Sequence, residues 1–87
     1  MNEIHIRILL RGRNKITIIQ GLDKYADLNM KKLLSAFNKQ FHCSGGIVDD
    51  PTYGKIIKLT GDQKDNAYDF ILLNEIADKM SVKKHGI

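Results

Sequence analysis

The sequence holds one cysteine, one proline and no tryptophan among its 87 residues. A single cysteine excludes an internal disulfide, and a domain without such crosslinks suits a reducing compartment. No stretch reaches the roughly 20 apolar residues that a bilayer span needs, and the N-terminus lacks the pattern of a secretory signal. We therefore expect a soluble, cytoplasmic protein, and the length predicts a single domain over residues 1–87.

Residues suited to metal binding or catalysis are also sparse. His5, His42 and His85 are dispersed along the chain and Cys43 is the only thiol, so the spacing of a zinc site is absent. Cys43 follows His42, but chain neighbours seldom point at one another, and a lone cysteine is usually a small core residue. No glycine-rich stretch has the Gly-x-x-x-x-Gly-Lys-Ser/Thr spacing of a phosphate-binding loop. We predict no catalytic residues, no metal and no cofactor.

Two alternating segments near the N-terminus predict a β-hairpin. Ile4, Ile6 and Ile8 alternate with mainly polar residues, which is the period of a half-buried strand. The pattern resumes over residues 15–20 after a short connection that contains Gly12. Such a connection between two alternating runs is typical of a hairpin. The predicted hairpin tip is rich in cations.

A change of period marks a first helix from about residue 27 to residue 41. Its apolar arc consists of Met30, Leu33, Leu34, Phe37 and Phe41. Short β-rich runs follow at 46–49 and 55–60. A second helix is predicted from residue 61 to about residue 77, with Asp62 placed to cap it. A last short strand is predicted at 80–83.

The predicted order of elements, ββαββαβ, defines the fold class. It favours an α+β two-layer sandwich, with both helices packed on one face of an antiparallel-rich, mixed sheet.

Positive charge concentrates in the first half of the chain. Residues 1–42 carry eight Lys and Arg against three acids, whereas residues 61–78 carry one Lys against five acids. Cations on a protruding hairpin and on one side of a helix suit contacts with phosphates. A solvated basic surface without a ligand is the alternative at this point. The candidate RNA-binding residues are Arg7, Arg11, Arg13, Lys15, Lys31, Lys32 and Lys39.

Three short motifs occur together: Gln20-Gly21, Gly61-Asp62-Gln63 and His85-Gly86. In this combination the chain resembles the eukaryotic translation initiation factor 1 family, the start-codon fidelity factors of the small ribosomal subunit. The resemblance covers nearly the whole chain. Its other matching residues are Ile4-His5-Ile6-Arg7-Ile8, Thr17-Ile18-Ile19, Leu22, Lys31-Lys32-Leu33, Ala36-Phe37, Phe41, Cys43, Pro51, Tyr53-Gly54, Ile57, Leu59, Lys64 and Ile87.

The resemblance implies a factor that binds the small subunit near the P site and favours a complex competent for scanning. It further implies accurate AUG selection and release when the initiator tRNA pairs with the start codon. The implied partners are the small subunit and its rRNA, the initiator tRNA complex and other initiation factors, with the chain as a monomer. By the same resemblance, the hairpin tip and the Lys31-Lys32 pair contact rRNA. The residues implied in sensing the tRNA are Asp62, Gln63, Lys64 and Gly86.

The chain departs from the family pattern at the hairpin tip and in the first helix. The tip reads Arg-Gly-Arg-Asn-Lys where Arg-Asn-Gly-Arg-Lys is usual, and the helix has Met30, Ser35, Asn38 and Gln40 where lysines are common. We expect weaker subunit binding, with a salt dependence flatter by about one unit of slope for each lost phosphate contact. The alternative function is a related ribosome-binding module that acts in recycling, reinitiation or translation regulation.

Overall fold

The computed structural model describes residues 2–86 and contains five strands and two α-helices in that range. In chain order these are β1 (Ile4–Arg11), β2 (Asn14–Gln20), α1 (Met30–Phe41), β3 (Gly45–Asp50), β4 (Gly54–Thr60), α2 (Lys64–Leu73) and β5 (Val82–Lys84). Short 3₁₀ helices lie at Leu22–Lys24 and Lys79–Ser81. The predicted ββαββαβ order and α+β class are confirmed.

The strands form one mixed sheet in the order β3-β4-β2-β1-β5. Three strand pairs are antiparallel, and only β5 runs parallel to its neighbour β1. The register places Ile6 opposite Ile19, and Ile19 opposite Ile57, so that these side chains share one face. The isoleucine alternation in the sequence therefore supplies the buried face of the sheet.

The core lies between this face and the two helices. Its buried members are Ile4, Ile6, Ile19, Leu22, Leu33, Phe37, Ile57, Leu59, Ala67, Ile71 and Val82. The ring centroid of Phe37 lies 5.3 Å from that of Phe41 and 5.0 Å from that of Phe70, which joins α1 to α2. The apolar arc predicted for the first helix is confirmed, because Leu33 and Phe37 are buried and its other members pack around them.

Strand direction decides which loops meet at each end of the sheet. β1 and β4 end at the edge where β2 and β3 begin, so the β1–β2 turn lies beside the loops before β3 and after β4. Backbone hydrogen bonds join these segments, from Thr60 N to Ser44 O at 2.9 Å and from Gly61 N to Lys15 O at 2.8 Å. We call this edge the hairpin end; α1 runs towards it and α2 runs away from it.

The first helix starts later than predicted. It begins at Met30 rather than residue 27, because Asn29 is its N-cap and accepts a hydrogen bond at Oδ1 from Lys32 N at 3.0 Å. The preceding residues form the 3₁₀ turn Leu22–Lys24 and a hydrogen-bonded turn closed from Leu28 N to Tyr25 O at 3.0 Å.

The second helix and the last strand also differ from their predicted bounds. α2 ends at Leu73 rather than near residue 77, because Glu75 N bonds Leu72 O at 3.1 Å and Ile76 N bonds Ile71 O at 3.0 Å. This pair of bonds is the Schellman closure of a helix. β5 begins at Val82 rather than residue 80, since the preceding 3₁₀ turn is capped by Asp78, whose Oδ1 accepts from Ser81 N at 3.0 Å.

Candidate nucleic-acid interface

The β1–β2 hairpin presents three exposed cations at its tip. Arg11 pairs with Asn14, so the loop is only two residues long, and its first residue, Gly12, has a φ of +62°. A positive φ confined to the first loop residue is typical of the type II′ turn, which favours glycine there. Arg11 and Arg13 make no side-chain hydrogen bond or ion pair with another described residue, whereas Lys15 Nζ lies 4.0 Å from Asp62 Oδ2. The two guanidinium groups are therefore available to a ligand.

The loop after β4 is fixed to the base of this hairpin by Thr17. Its hydroxyl donates to Gly61 O at 2.8 Å and accepts from Gln63 N at 2.7 Å. Thr17 is fully buried on the core face of β2, opposite Ile8. Because the Thr17 end of both bonds is inaccessible to water, they hold residues 61–63 in a defined position against the hairpin. The hairpin and the loop behave as one structural unit.

Sequence reasoning missed Thr17. The available signal was its inward position in a strand that also holds Ile16, Ile18 and Ile19, since a polar side chain at such a position needs hydrogen-bond partners. Those partners come from a loop more than 40 residues later, which no local pattern predicts.

Asp62 and Gln63 occupy the corner between the hairpin and α2. The cap predicted at Asp62 needs correction: the N-cap position is Gln63, and Asp62 Oδ1 instead accepts from Lys64 N at 3.2 Å. The Gln63 side chain donates to Thr60 O at 3.2 Å and accepts from Asn66 at 2.9 Å. Asp62 thus retains a half-exposed carboxylate beside Lys15, whereas the amide of Gln63 is used internally.

A groove of about 570 Å³ connects the tip to this corner. We call it the hairpin groove. The residues that line it are Arg11, Arg13, Asn14, Lys15, Ile16, Thr60, Gly61 and Asp62. Three cations face one carboxylate there. Such a groove attracts phosphates, and phosphate contacts supply affinity without reading sequence.

The other predicted cations do not all join the hairpin groove. Lys39 lies in the last turn of α1, towards the hairpin end, whereas Lys31 and Lys32 lie in its first turn. Eight residues of helix separate Lys31 from Lys39, about 12 Å along the axis. Arg7 lies on the open face of the sheet, where its Nε donates to Gln20 Oε1 at 2.8 Å.

Gly86 is separated from the other three residues implied in tRNA sensing. It follows His85, whose backbone N bonds Ile6 O at 2.9 Å, in the first half of β1. Asp62 instead lies beside the base of the hairpin tip, at the far end of that strand. Four residues of strand separate Ile6 from Leu10, about 13 Å. Lys64 stays with Asp62 and Gln63 at the start of α2.

The open face of the sheet holds a histidine pair. His5 Nδ1 and His85 Nε2 are 3.0 Å apart, and the His5 ring meets the edge of Tyr53 with centroids 5.8 Å apart. Desolvation lowers the pKa of His85, and the positive charges of Arg7 and His5 lower it further. The neutral form of His85 is therefore favoured in the folded protein.

The remaining candidates for chemistry have structural surroundings. Cys43 is partly buried, its Sγ lies 3.9 Å from Phe37 O, and burial raises the pKa of the thiol, which disfavours the nucleophilic thiolate. Within residues 2–86, no three His, Cys, Asp or Glu side chains gather as metal ligands would. None of the helices in that same range is both long and apolar enough to cross a membrane.

Comparison with known proteins places this geometry in a family. Residues 1–77 match the family model described as translation initiation factor SUI1. The chain belongs to the SUI1 family of translation initiation factors. The family is not known for enzymatic activity, which fits the prediction that the chain is not an enzyme.

Relatives from animals and plants agree with the SUI1 assignment. Eukaryotic translation initiation factor 1 of Mus musculus is 42% identical over 84 residues, covering 95% of this chain and 73% of the relative. The human protein of the same name gives the same identity and coverage. A protein translation factor SUI1 homolog of Salix bakko is 39% identical over the same length, with the same two coverages. The resemblance to the initiation factor 1 family is confirmed.

A solved structure supports the SUI1 fold independently of close sequence similarity. The C-terminal domain of human eIF2D superposes with a TM-score of 0.79 at 18% identity, covering 93% of this chain and 41% of that chain. At that identity the match concerns the fold alone.

Proposed function

We propose that this chain binds the small ribosomal subunit near the P site, promotes scanning and enforces accurate AUG selection, and leaves once the start codon is recognised. Membership of the SUI1 family supports a role in initiation. The observation that carries the finer proposal is the hydrogen bonding between the hairpin and residues 61–63 through Thr17 and Lys15. These bonds hold the cationic hairpin tip and the loop that carries Asp62, which we call the Asp62 corner, as one structural unit.

In this proposal the hairpin tip holds the factor on rRNA. Arg11, Arg13 and Lys15 contact phosphates, and each contact releases counterions, so binding weakens as salt rises. Three contacts correspond to a slope of about −2 to −3 in a plot of log affinity against log salt. Binding of this kind is strong enough to position the factor and remains reversible.

In this proposal the negative charge of Asp62, at the Asp62 corner, opposes the approach of tRNA. Its carboxylate lies at the rim of the hairpin groove, where it would repel the phosphates of an approaching tRNA. The ion pair with Lys15 is long and half-exposed, so it neutralises little of that charge. Full accommodation of the tRNA on a matched codon would then displace the factor.

Binding is tested by co-sedimentation with eukaryotic small subunits over a range of salt concentrations. The variant Arg11→Glu/Arg13→Glu/Lys15→Glu should lose binding while its thermal stability stays nearly unchanged. The matched control, Lys24→Glu/Lys79→Glu/Lys83→Glu, changes the net charge equally but leaves the hairpin groove intact, and it should bind. Equal loss of binding in both variants would show that net charge rather than the hairpin groove drives binding.

Fidelity is tested with AUG and UUG reporters in cells that depend on this protein. Asp62→Asn should raise initiation at UUG relative to AUG, because the repulsion of tRNA is reduced. Asp65→Asn, three residues later on an exposed site, should not. A chain that binds subunits but leaves the UUG-to-AUG ratio unaltered in every variant would instead favour the alternative role in recycling, reinitiation or regulation.

A further inference from the structure

The C-terminal end of α2 exposes apolar surface away from the hairpin groove. Leu73 is 82% exposed although it lies in a helix packed on the core. Leu73 lines two of four shallow clefts that lie around residues 72–75, with volumes of about 230 to 400 Å³. Leu72, Leu73, Asn74 and Glu75 each line two of them, so the clefts are continuous around one turn of chain.

The exposure of Leu73 follows from the way the helix ends. The Schellman closure turns the chain at Glu75, which has a φ of +55°, and directs Ile76 back against the core. Glycine is the usual residue at this position, because a side chain disfavours the left-handed conformation. The chain therefore keeps a carboxylate at a position where glycine would be more stable.

The surroundings of this apolar surface are acidic. Four carboxylates line the clefts and one ammonium group, that of Lys79, accompanies them. Among the described residues, Asp27, Asp69 and Glu75 form no ion pair. We call the set Asp27, Asp69, Leu72, Leu73, Glu75 and Asp78 the acidic end. Its charge excludes phosphates and favours a partner that carries cations.

We propose that the acidic end docks a basic, amphipathic segment of another protein, whose apolar side chain covers Leu72 and Leu73 and whose Lys and Arg side chains pair with Asp69 and Glu75. The charge complementarity selects a polypeptide over RNA, and the chain of shallow clefts suits several side chains rather than one small molecule. Docking there leaves the hairpin groove free, so it does not depend on the function proposed above.

The test uses a synthetic amphipathic helix of about 14 residues, roughly 21 Å long, with leucine on one face and lysine on the other. NMR titration should shift the amide signals of residues 69–79 and leave those of residues 11–16 unchanged. A peptide with serine in place of each leucine should not bind. Shifts centred on residues 11–16, or no saturable binding up to about 1 mM peptide, would overturn the proposal.

Variants at the acidic end separate docking from folding. Leu73→Ala should weaken peptide binding about tenfold, as truncation of an interface anchor does. Val48→Ala, at an exposed apolar residue on the open face of the sheet, should leave binding unchanged. Equal effects of the two substitutions would contradict the assigned surface.

Two further substitutions make opposite predictions. Glu75→Gly should weaken peptide binding severalfold although it makes the fold more stable, so unfolding does not explain the loss. Lys79→Gln removes the one cation among the clefts and should tighten binding about twofold. The proposal fails if Glu75→Gly binds as well as the unmodified chain, or if a phosphate-rich RNA oligonucleotide shifts the same signals as the peptide.

Discussion

At the hairpin groove three cations surround a loop held by hydrogen bonds to the buried Thr17 side chain, whereas the acidic end carries four carboxylates around a helix terminus closed by backbone bonds. The net charge of +4 conceals this separation. The hairpin groove has the rigidity that the proposed contact with a fixed RNA surface requires. The acidic end instead retains a strained Glu75 and an exposed Leu73, features that add nothing to the stability of the isolated domain.

Replacement of Thr17 tests the rigidity of the hairpin groove and should have the largest effect. Thr17→Val keeps the shape of the side chain but leaves Gly61 O and Gln63 N without their buried partner. Each unsatisfied group costs about 1 to 3 kcal/mol, so unfolding should become easier by about 3 kcal/mol. The melting temperature of a domain this small should fall by roughly 15 °C, measured by circular dichroism.

Two control substitutions accompany the Thr17→Val prediction. Thr17→Ser retains the hydroxyl and should recover most of the stability. Thr52→Val, at an exposed threonine in the β3–β4 turn, should change the melting temperature little. If Thr17→Val melts like the unmodified chain, the loop is held by other contacts and the contrast between the two ends is lost.

Substitution of the lysines of α1 tests how far the proposed RNA-binding surface extends from the hairpin groove. Lys39→Ala, at the hairpin end, should weaken binding to small subunits about fivefold at low salt, equivalent to about 1 kcal/mol, and reduce the salt slope by about one unit. Lys31→Ala/Lys32→Ala, at the opposite end of the helix, should have a smaller effect if the surface is confined to the hairpin end. Co-sedimentation at several salt concentrations measures both.

The reverse order of effects would extend the RNA surface along α1. Larger losses from the Lys31 and Lys32 pair than from Lys39 would mean that the start of α1 also faces rRNA, as the family resemblance implies for these two lysines. The thermal stability of each variant serves as the control, since all three lysines are exposed.

Substitution of Glu75 tests whether this residue of the acidic end lowers the stability of the fold. Glu75→Gly should stabilise the fold by about 0.5 to 1 kcal/mol, because glycine adopts a φ of +55° without the penalty of a side chain. The expected rise in melting temperature is about 4 °C. Glu75→Ala removes the same charge but keeps a side chain, so it should give little gain; equal gains would assign the effect to charge rather than backbone conformation.

The sequence predicted the elements well because the patterns that define them are local. Isoleucine alternation defined β1 and β2, and the apolar arc from Met30 to Phe41 defined α1. The element boundaries failed where capping decides them. Asn29 starts α1 after the predicted residue 27, and the bonds to Ile71 and Leu72 end α2 before residue 77.

The candidate site was predicted as a set of residue types rather than as an arrangement. The cations of the tip and the Asp62 corner were identified, but their connection depends on Thr17, which pairs across the sheet with residues distant in sequence. The separation of Lys31 from Lys39, and of Gly86 from Asp62, also follows from strand and helix direction rather than from spacing in the chain.

Acidification tests whether the contrast between the two ends depends on pH, and its effect should be the smallest. The pKa of His85 is lowered in the folded protein by desolvation and by Arg7 and His5, so the unfolded chain binds more protons just below the ordinary pKa of 6.5. The contribution of His85 to the free energy of unfolding should therefore be fully present above pH 6.5. It should be lost as the pH falls through the pKa of His85 in the folded protein. NMR should show His85 titrating below pH 6.5.

The variant His85→Gln should flatten the dependence of melting temperature on pH in that range. The NMR signals of the hairpin groove, whose lining contains no histidine, should stay constant over the same range. Parallel changes at the hairpin groove would mean instead that the histidine pair and the hairpin groove are coupled through β1.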